Sequence, residues 1–164
     1  MYNTSEIKKR RAPEAGYSAM MNNFYMVNNS KTLEQLEMDY WGNAPESSSS
    51  LIKTCYKLRQ QKINDFELDD LRIMINQNIG IKYLIPIAIA ELEKNSLVEA
   101  NYYEGDLLMS VLSCEDAIWN SDSDLKSSMV NLLNINLNKF EDLDSDEIKD
   151  ELMDLLNNFL KKYS

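Results

Sequence analysis

The sequence predicts an all-α fold, a single compact array of about six to eight short helices. Glycine occurs 4 times and proline 3 times in the 164 residues, although sheet proteins use both in their many turns. Apolar residues recur at helical spacing in most segments, while strand-like alternation is no commoner than chance. A chain of this length buries enough surface to fold as one domain without disulfides or a structural metal.

The beginning of the chain differs from the rest. Residues 1–30 contain four basic and two acidic residues and show no sustained hydrophobic period. We therefore predict a mobile or partly docked N-terminal tail, followed by a single helical domain over residues 31–164. The position of the native start stays open, because the chain offers possible starts at Met1, Met20, Met21 and Met26.

The first helix is predicted from Thr32 and Gln35, which have the spacing of a capping box. We expect this helix to run toward Trp41 and to stop at Gly42. Trp41 and Trp119 carry large rings, and both are assigned to the core.

Two further helices are predicted in the middle of the chain. Ser50 is expected to cap a helix whose apolar residues share one face, namely Leu51, Cys55 and Leu58. A strong helix is predicted over residues 66–79, with Gly80 as its C-cap. Pro86 fits the first turn of the following helix, where its missing N–H costs nothing. That helix is apolar on most sides up to about Lys94, so we place it at the centre of the core.

The C-terminal half is predicted to contain short helices joined by capped turns. Residues 96–105 form an exposed loop, and Asp106 caps the helix after it. One further helical turn is expected next, and then a helix capped by Asp122 or Ser123.

The net charge of −10 bears on the choice of partner. An acidic protein repels phosphate backbones and anionic lipid, so nucleic acid and membranes are not expected as partners. It attracts basic proteins and is steered toward them, most strongly at low salt. The alternative, that the acidity only maintains solubility, stays open.

Several kinds of catalytic site are excluded by residues that the chain lacks. Histidine is absent, which removes the commonest general base, the usual serine and cysteine triads, and most zinc sites. The carboxylate pairs Asp69–Asp70 and Glu115–Asp116 are adjacent in sequence, so their side chains point apart on a helix. Neither a glycine-rich phosphate loop nor a complete calcium loop is present. We therefore expect no enzymatic activity, no cofactor and no metal.

The cellular location is predicted from the cysteines and from the lack of export signals. Cys55 and Cys114 each lie in an apolar helical pattern and are expected to be free thiols, as in a reducing cytosol. The basic residues 8–11 are not followed by the apolar run of a signal peptide. No stretch approaches 18 apolar residues, so no membrane span is expected. We predict a cytoplasmic protein.

A loop that is rich in tyrosine and carboxylates is the first candidate partner-binding surface. Its candidate residues are Glu99, Tyr102, Tyr103, Glu104 and Asp106. Tyrosine supplies rigid contact area, and carboxylates pair with Arg and Lys of a partner. The alternative is that the tyrosines fold back onto the core and that Asp106 is only a helix cap.

The last helix carries the second candidate surface. A capping-box-like pair, Asp144 and Glu147, marks its start. Three aspartates follow at a spacing of four residues, namely Asp146, Asp150 and Asp154. Glu147 and Glu151 lie beside them, opposite the apolar face of the helix. The simpler alternative is a solvated helix face.

Residues 31–113 resemble one family of immunity proteins from contact-dependent growth inhibition (CDI) systems. The blocks that carry the resemblance occur in order: TLEQLE (32–37), WG (41–42), LIKTCYKLR (51–59), FELDDLR (66–72), INQNIG (75–80), YLIPIA (83–88) and YYEGDLL (102–108). The chain departs from the family at Tyr56, where members often carry His, and near Ile63, where an expected proline is missing. These departures concern local structure.

The resemblance implies a function. A protein of this family waits in the cytosol of the producing strain and tightly binds a toxin domain, often a nuclease, that a neighbouring cell delivers. A basic nuclease surface would suit the acidic balance of this chain. Since such toxins vary, the shared motif residues are expected to be structural, among them Arg72 and Gln77, and specificity is expected on exposed positions.

Two other functions stay open. The chain could be an acidic helical adaptor or antitoxin-like regulator that binds another host protein, which the absence of a large secreted toxin gene beside its own gene would favour. It could also be a carboxylate-dependent enzyme, but this would need converging acids in a pocket, and the sequence does not show them.

Overall fold

The computed structural model describes residues 29–164, which contain eight α-helices, one 3-10 turn and no strand. The all-α array is therefore confirmed for this part of the chain. In chain order the elements are α1 (Leu33–Glu37), α2 (Ser50–Arg59), the 3-10 turn (Ile63–Asp65), α3 (Leu68–Asn76), α4 (Ile81–Lys94), α5 (Asp106–Leu112), α6 (Asp116–Ser121), α7 (Ser123–Glu141) and α8 (Asp146–Tyr163).

The predicted tail lies outside the described residues, apart from residues 29 and 30. At this point the chain is already hydrogen-bonded to the domain. The carbonyl of Asn29 accepts the N–H of Asn64 at 2.8 Å, and the carbonyl of Lys31 accepts the N–H of Ile63 at 3.0 Å. The division of the chain into a tail and a domain stays a prediction.

Helix α4 lies in the middle of the core, as its apolar sequence predicts. It packs against α3, α5 and α7, and α8 packs against α5 and α7. Seven of its residues are buried, including Leu84, Ile89 and Leu92. Full burial of one such aliphatic side chain contributes about 1.5–3 kcal/mol. The helices around α4 thus bury one continuous apolar cluster.

The start of α1 agrees with the sequence, but its end does not. The capping box is confirmed, since Thr32 accepts the Gln35 N–H at 3.2 Å and Gln35 accepts the Thr32 N–H at 3.0 Å. The helix ends at Glu37, well before Trp41, because Met38 adopts a left-handed backbone with φ 54°. A left-handed residue reverses the chain direction and commonly ends a helix.

Two predicted caps are wrong by one residue. Ser49, rather than Ser50, accepts the Ile52 N–H and caps α2. Ser145, rather than Asp144, caps α8. Runs of cap-forming residues precede both helices, so the sequence pattern alone does not select one of them. The predicted cap of α7 is confirmed at Asp122.

Helix α3 is shorter than predicted, and Gly80 has a different role. Gln77 forms the C-cap of α3, and Asn78 then turns the chain with φ 53°. Gly80 (φ 65°) precedes α4 as its N-cap. A Cβ at Gly80 would lie 2.6 Å from Cδ2 of Leu33, so glycine lets α1 approach the start of α4.

Pro86 lies inside α4 rather than in its first turn. The helix begins at Ile81, so Pro86 is its sixth residue and is buried. A proline at this position removes one backbone hydrogen bond of the helix. The prediction was wrong because α4 begins at Ile81, more than one turn before Pro86, whereas proline is most common in the first turn of a helix.

The cysteines and one tryptophan agree with the sequence analysis. Cys55 and Cys114 are buried free thiols, and burial raises the pKa of the Cys114 thiol to about 12. Trp119 is buried and packs edge-on against Phe159, with ring centroids 5.0 Å apart. Within residues 29–164 no helix is both long and apolar enough to cross a membrane.

Candidate functional site

The tyrosine loop, residues 96–105 between α4 and α5, is folded around one carboxylate. Asp106 is 3% exposed. Its Oδ1 accepts the Ala100 N–H at 2.7 Å, and its Oδ2 accepts the N–H groups of Asn101 and Tyr102 at 3.0 and 2.9 Å. Three charge-assisted hydrogen bonds compensate for the burial of this carboxylate. The loop is therefore held in a fixed conformation.

Asp106 is not the helix cap that the sequence predicts. Gly105 is the N-cap of α5, with φ 86°, and Asp106 is the first residue of the helix. The side chain of Asp106 turns back to the loop rather than forward to the amides of α5. Because it is buried, its part in any partner binding is to position the loop.

Tyr102 is the exposed tyrosine of this loop. Its side chain is 67% exposed, and one face of its ring covers the guanidinium of Arg72, with Cζ 4.5 Å from the ring centroid. Arg72 is itself fixed by Asp69, whose Oδ1 lies 2.8 Å from Nε and 2.7 Å from NH2. One face of the Tyr102 ring thus rests on Arg72, and the opposite face is open to solvent.

Tyr103 behaves differently, because its ring is half-buried and packs against the core. Burial raises the pKa of Tyr103, and the nearby carboxylates of Glu151 and Asp106 raise it further. The sequence analysis left two positions open for these tyrosines, exposed or folded back onto the core, and each tyrosine adopts one of them. Tyr103 folds back onto the core, and Tyr102 projects outward.

A small polar cleft of about 150 Å³ lies beside the two tyrosines. Helices α3, α5 and α8 contribute its walls through Arg72, Asn76, Ser110 and Glu151. Pockets for small ligands usually measure about 300–1,000 Å³ and are mostly apolar. The cleft is therefore of a size and polarity that suit one polar side chain of a partner.

The carboxylates at the base of the loop are close neighbours. Glu99 and Glu104 form an isolated antiparallel bridge through their backbones, and both are exposed. Glu151 of α8 borders the cleft from the other side. The loop of Tyr102 thus carries two exposed carboxylates and shares a cleft with a third, an arrangement that favours a basic partner.

Helix α8 presents the acidic residues of the second candidate surface to solvent. Asp146, Asp150 and Asp154 are all exposed. Asp146 bonds Lys149 at 2.9 Å, and this hydrogen bond lowers the pKa of the Asp146 carboxyl. Among the described residues no cation forms an ion pair with Asp150 or Asp154.

Glu151 connects the two candidate surfaces. It is one of the cleft residues, and on α8 it lies three residues before Asp154 and four residues after Glu147. Residues at these spacings are neighbours on a helix surface. The tyrosine loop and the acidic face of α8 therefore form one continuous surface, which we call the acidic surface.

The two carboxylates of the pair Asp69–Asp70 bind different partners, as predicted. Asp69 binds Arg72, while Asp70 accepts the Glu67 N–H at 2.8 Å at the start of α3. Burial raises the pKa of Asp70. Asp116 bonds Lys162 and Tyr163. Over residues 29–164 no group of three or more potential metal ligands occurs.

One exposed apolar surface was missed in the sequence analysis. Trp41, assigned there to the core, is 37% exposed, and Met38 and Tyr40 beside it are 76% and 63% exposed. The ring of Trp41 packs against Tyr56 of α2, with centroids 5.0 Å apart. The sequence signal that could have indicated this surface is the helical spacing of Ile52, Tyr56 and Arg59, which places the three side chains on one side of α2. We call Met38, Tyr40, Trp41, Ile52 and Tyr56 the Trp41 patch.

The comparisons with known proteins give one match. A family model described as CDI immunity proteins matches residues 35–129, more than half of the chain. The match contains the tyrosine loop, Asp106 and the whole Trp41 patch, and it ends before α8. No curated protein and no solved structure matches the chain.

Proposed function

This chain belongs to the family of CDI immunity proteins, and from this premise we propose that it binds its cognate toxin domain tightly and stoichiometrically, and so neutralises it. Membership implies immunity to a toxin of a contact-dependent growth inhibition system. Three points are parts of the proposal: the toxin is a nuclease, binding alone blocks it, and the immunity protein acts in the cytoplasm.

The charge of the protein supports a nuclease as the partner. The chain carries a net charge of −10, and a nuclease presents a basic surface to its nucleic-acid substrate. A protein whose carboxylates occupy that surface keeps the substrate out. Because the protein acts by covering a surface, it needs no catalytic group of its own.

The structural observation that best supports this mode of binding is the exposed ring of Tyr102. The ring lies on a loop of fixed conformation that also carries the carboxylates of Glu99 and Glu104. Asp106 fixes the backbone of the loop, and Arg72 supports the ring. A preorganised anchor loses little conformational entropy when a partner binds. Aromatic anchors of this kind often dominate the binding free energy of an interface.

The cleft beside Tyr102 suits a basic side chain of the toxin. Glu151 and the rings of Tyr102 and Tyr103 border it, and a carboxylate next to aromatic faces attracts a guanidinium or ammonium group. The charge of Arg72 is compensated by Asp69, so it does not oppose a cation there. The acidic surface would then combine charge attraction with one cleft that is specific for a basic side chain.

The test is binding to the toxin domain encoded beside this gene, measured by calorimetry with the full chain at two salt concentrations. We expect a one-to-one complex of nanomolar affinity or tighter that weakens as salt rises, because exposed charges are screened. When this protein is titrated into the toxin, the nuclease activity should reach zero at equal molar concentrations of the two proteins. Tight binding that does not respond to salt would move the interface away from the acidic surface, and no binding would refute the proposed function.

A further inference from the structure

The Trp41 patch is exposed although its residues are among those that usually drive association. Met38, Tyr40 and Trp41 lie on the loop after α1, and Ile52 and Tyr56 lie one turn apart on α2. Trp41 joins the two segments through its contact with Tyr56. Contiguous exposed apolar residues with a polar rim mark interaction sites, and Trp, Tyr and Met are enriched in them.

The loop that carries the patch is fixed from beneath by Arg59. This side chain is 2% exposed and forms ion pairs with Glu37 and Asp39. It also donates to the Asp39 carbonyl at 2.7 Å, and its Cζ lies 4.1 Å from the centroid of the Trp41 ring. The backbone N–H of Trp41 donates to Glu34 at 3.0 Å, and its indole N–H donates to Asp39 at 2.8 Å.

Two features of this support are unfavourable in themselves. Arg59 is a buried charge, and its Nε has no acceptor among the described residues, which is unfavourable in a protein interior. Met38 has a left-handed backbone, which costs free energy in a residue other than glycine. Costly local features of this kind cluster at ligand-binding sites. The apolar side chains are therefore presented outward on a rigid support.

The net charge of the whole chain indicates the kind of partner. Near the patch itself the charges almost balance: the acidic residues are Glu34, Glu37, Asp39 and Glu46, the basic residues are Lys53, Lys57 and Arg59, and Arg59 pairs with Glu37 and Asp39. A second copy of this protein would carry the same net charge of −10, which disfavours self-association. A basic protein with an apolar pocket complements both the net charge of the chain and the exposed rings.

We infer that the Trp41 patch is the apolar anchor for the same toxin domain, distinct from the acidic surface. This inference rests on the proposed function and deepens it. Helix α3 packs against both α2, which carries Tyr56, and α5, which follows the tyrosine loop, so α3 connects the helices beside the two surfaces. The acidic surface sets the rate of association, and the desolvated patch sets the lifetime of the complex.

The test is surface plasmon resonance of the full chain on the immobilised toxin domain encoded beside its gene. Trp41→Ala should raise the dissociation rate by about tenfold or more and should change the association rate little. Met38→Gly is the second variant, because it removes an exposed side chain from a left-handed position that glycine adopts without strain. It should raise the dissociation rate while the melting temperature stays the same or increases.

Ile135→Ala is the matched control, since Ile135 is an exposed apolar residue on α7, and it should leave both rates unchanged. Wild-type protein that binds, with dissociation rates that stay unchanged in both patch variants, would overturn this inference and leave the proposed function intact. A wild type that does not bind would overturn both. A concentration-dependent dimer in sedimentation that Trp41→Ala abolishes would also overturn it, because a second copy would then occupy the patch.

Discussion

At the scale of single residues, Asp106 determines the shape of the tyrosine loop. Three consecutive backbone N–H groups point at one carboxylate, and Arg72 lies 3.9 Å from it. A single buried side chain therefore replaces the regular secondary structure that a ten-residue loop lacks. Tyr102 gains its fixed position from this carboxylate and from the guanidinium beneath its ring.

Asp106→Asn is expected to lower the free energy of unfolding by about 1–3 kcal/mol, because an amide offers one acceptor oxygen and places an N–H group against N–H donors. Urea denaturation followed by circular dichroism measures the change. Asp154→Asn is the control, since Asp154 is exposed, and its effect should stay within about 0.5 kcal/mol. Equal effects of the two substitutions would contradict the role given to Asp106.

Tyr102→Ala is expected to weaken toxin binding by about 2 kcal/mol or more, as the loss of an anchoring aromatic side chain does. Tyr102→Phe keeps the ring over Arg72 and should lose less. Calorimetry measures both affinities, and urea denaturation checks that each variant is folded. An unchanged affinity of Tyr102→Ala would remove the tyrosine loop from the interface while leaving the immunity function in place.

At the scale of helices, the close approach of α1 to the start of α4 depends on Gly80. The turn between α3 and α4 contains two left-handed residues, Asn78 and Gly80. A Cβ at Gly80 would meet the side chain of Leu33 on α1, whereas the side chain of Asn78 accepts the Glu115 N–H before α6 at 3.4 Å. Gly42 is also left-handed, but a Cβ there would have no neighbour within 4 Å.

The two glycines therefore form a matched pair for a stability experiment. Gly42→Ala should lower the free energy of unfolding by about 1–2 kcal/mol, the cost of a left-handed residue with a Cβ. Gly80→Ala should cost a further 1–3 kcal/mol or so, because the new methyl group overpacks Leu33. Thermal and urea denaturation measure both changes. Equal losses at the two positions would show that α1 moves away from Gly80 without cost.

At the scale of the whole molecule, most charged side chains lie at the surface, while the apolar side chains share one interior cluster. The apolar cluster runs through all eight described helices, while α8, with its exposed carboxylates, lies beyond the part matched by the family. The negative charge is concentrated on the exterior and leaves the core apolar. A partner approaching from solution meets the field of the whole protein before it meets a particular side chain.

The double substitution Asp150→Asn and Asp154→Asn tests whether the position of this charge matters. We expect the association rate with the toxin to fall several-fold at low salt, roughly as steering by rim charges predicts, with little change in the dissociation rate. Asp65→Asn with Asp124→Asn is the control, because it removes the same charge from other exposed positions. Stopped-flow kinetics measure both. An equal fall in the two double variants would mean that net charge alone steers the toxin.

The sequence by itself determined the fold class, the position of α4 at the centre of the core, the Thr32 capping box and the family. The capping box and the apolar character of α4 can be derived from short windows of residues. The fold class depends on composition and periodicity along the whole chain, and the family depends on sequence blocks in order over residues 31–113. The tyrosine loop was also located from the sequence, since its residues are contiguous. Its use as a binding surface stays a prediction.

Only the tertiary structure decided which side chains face solvent and which support them. Arg59 lies beneath Trp41 because α2 meets the loop after α1 there. Tyr102 separates from Tyr103 because its ring stacks on Arg72 of another helix. The connection of the loop with α8 through Glu151 has the same origin. Burial and electrostatic contact depend on distances between segments that are far apart in the chain, and helical periodicity carries no information about those distances.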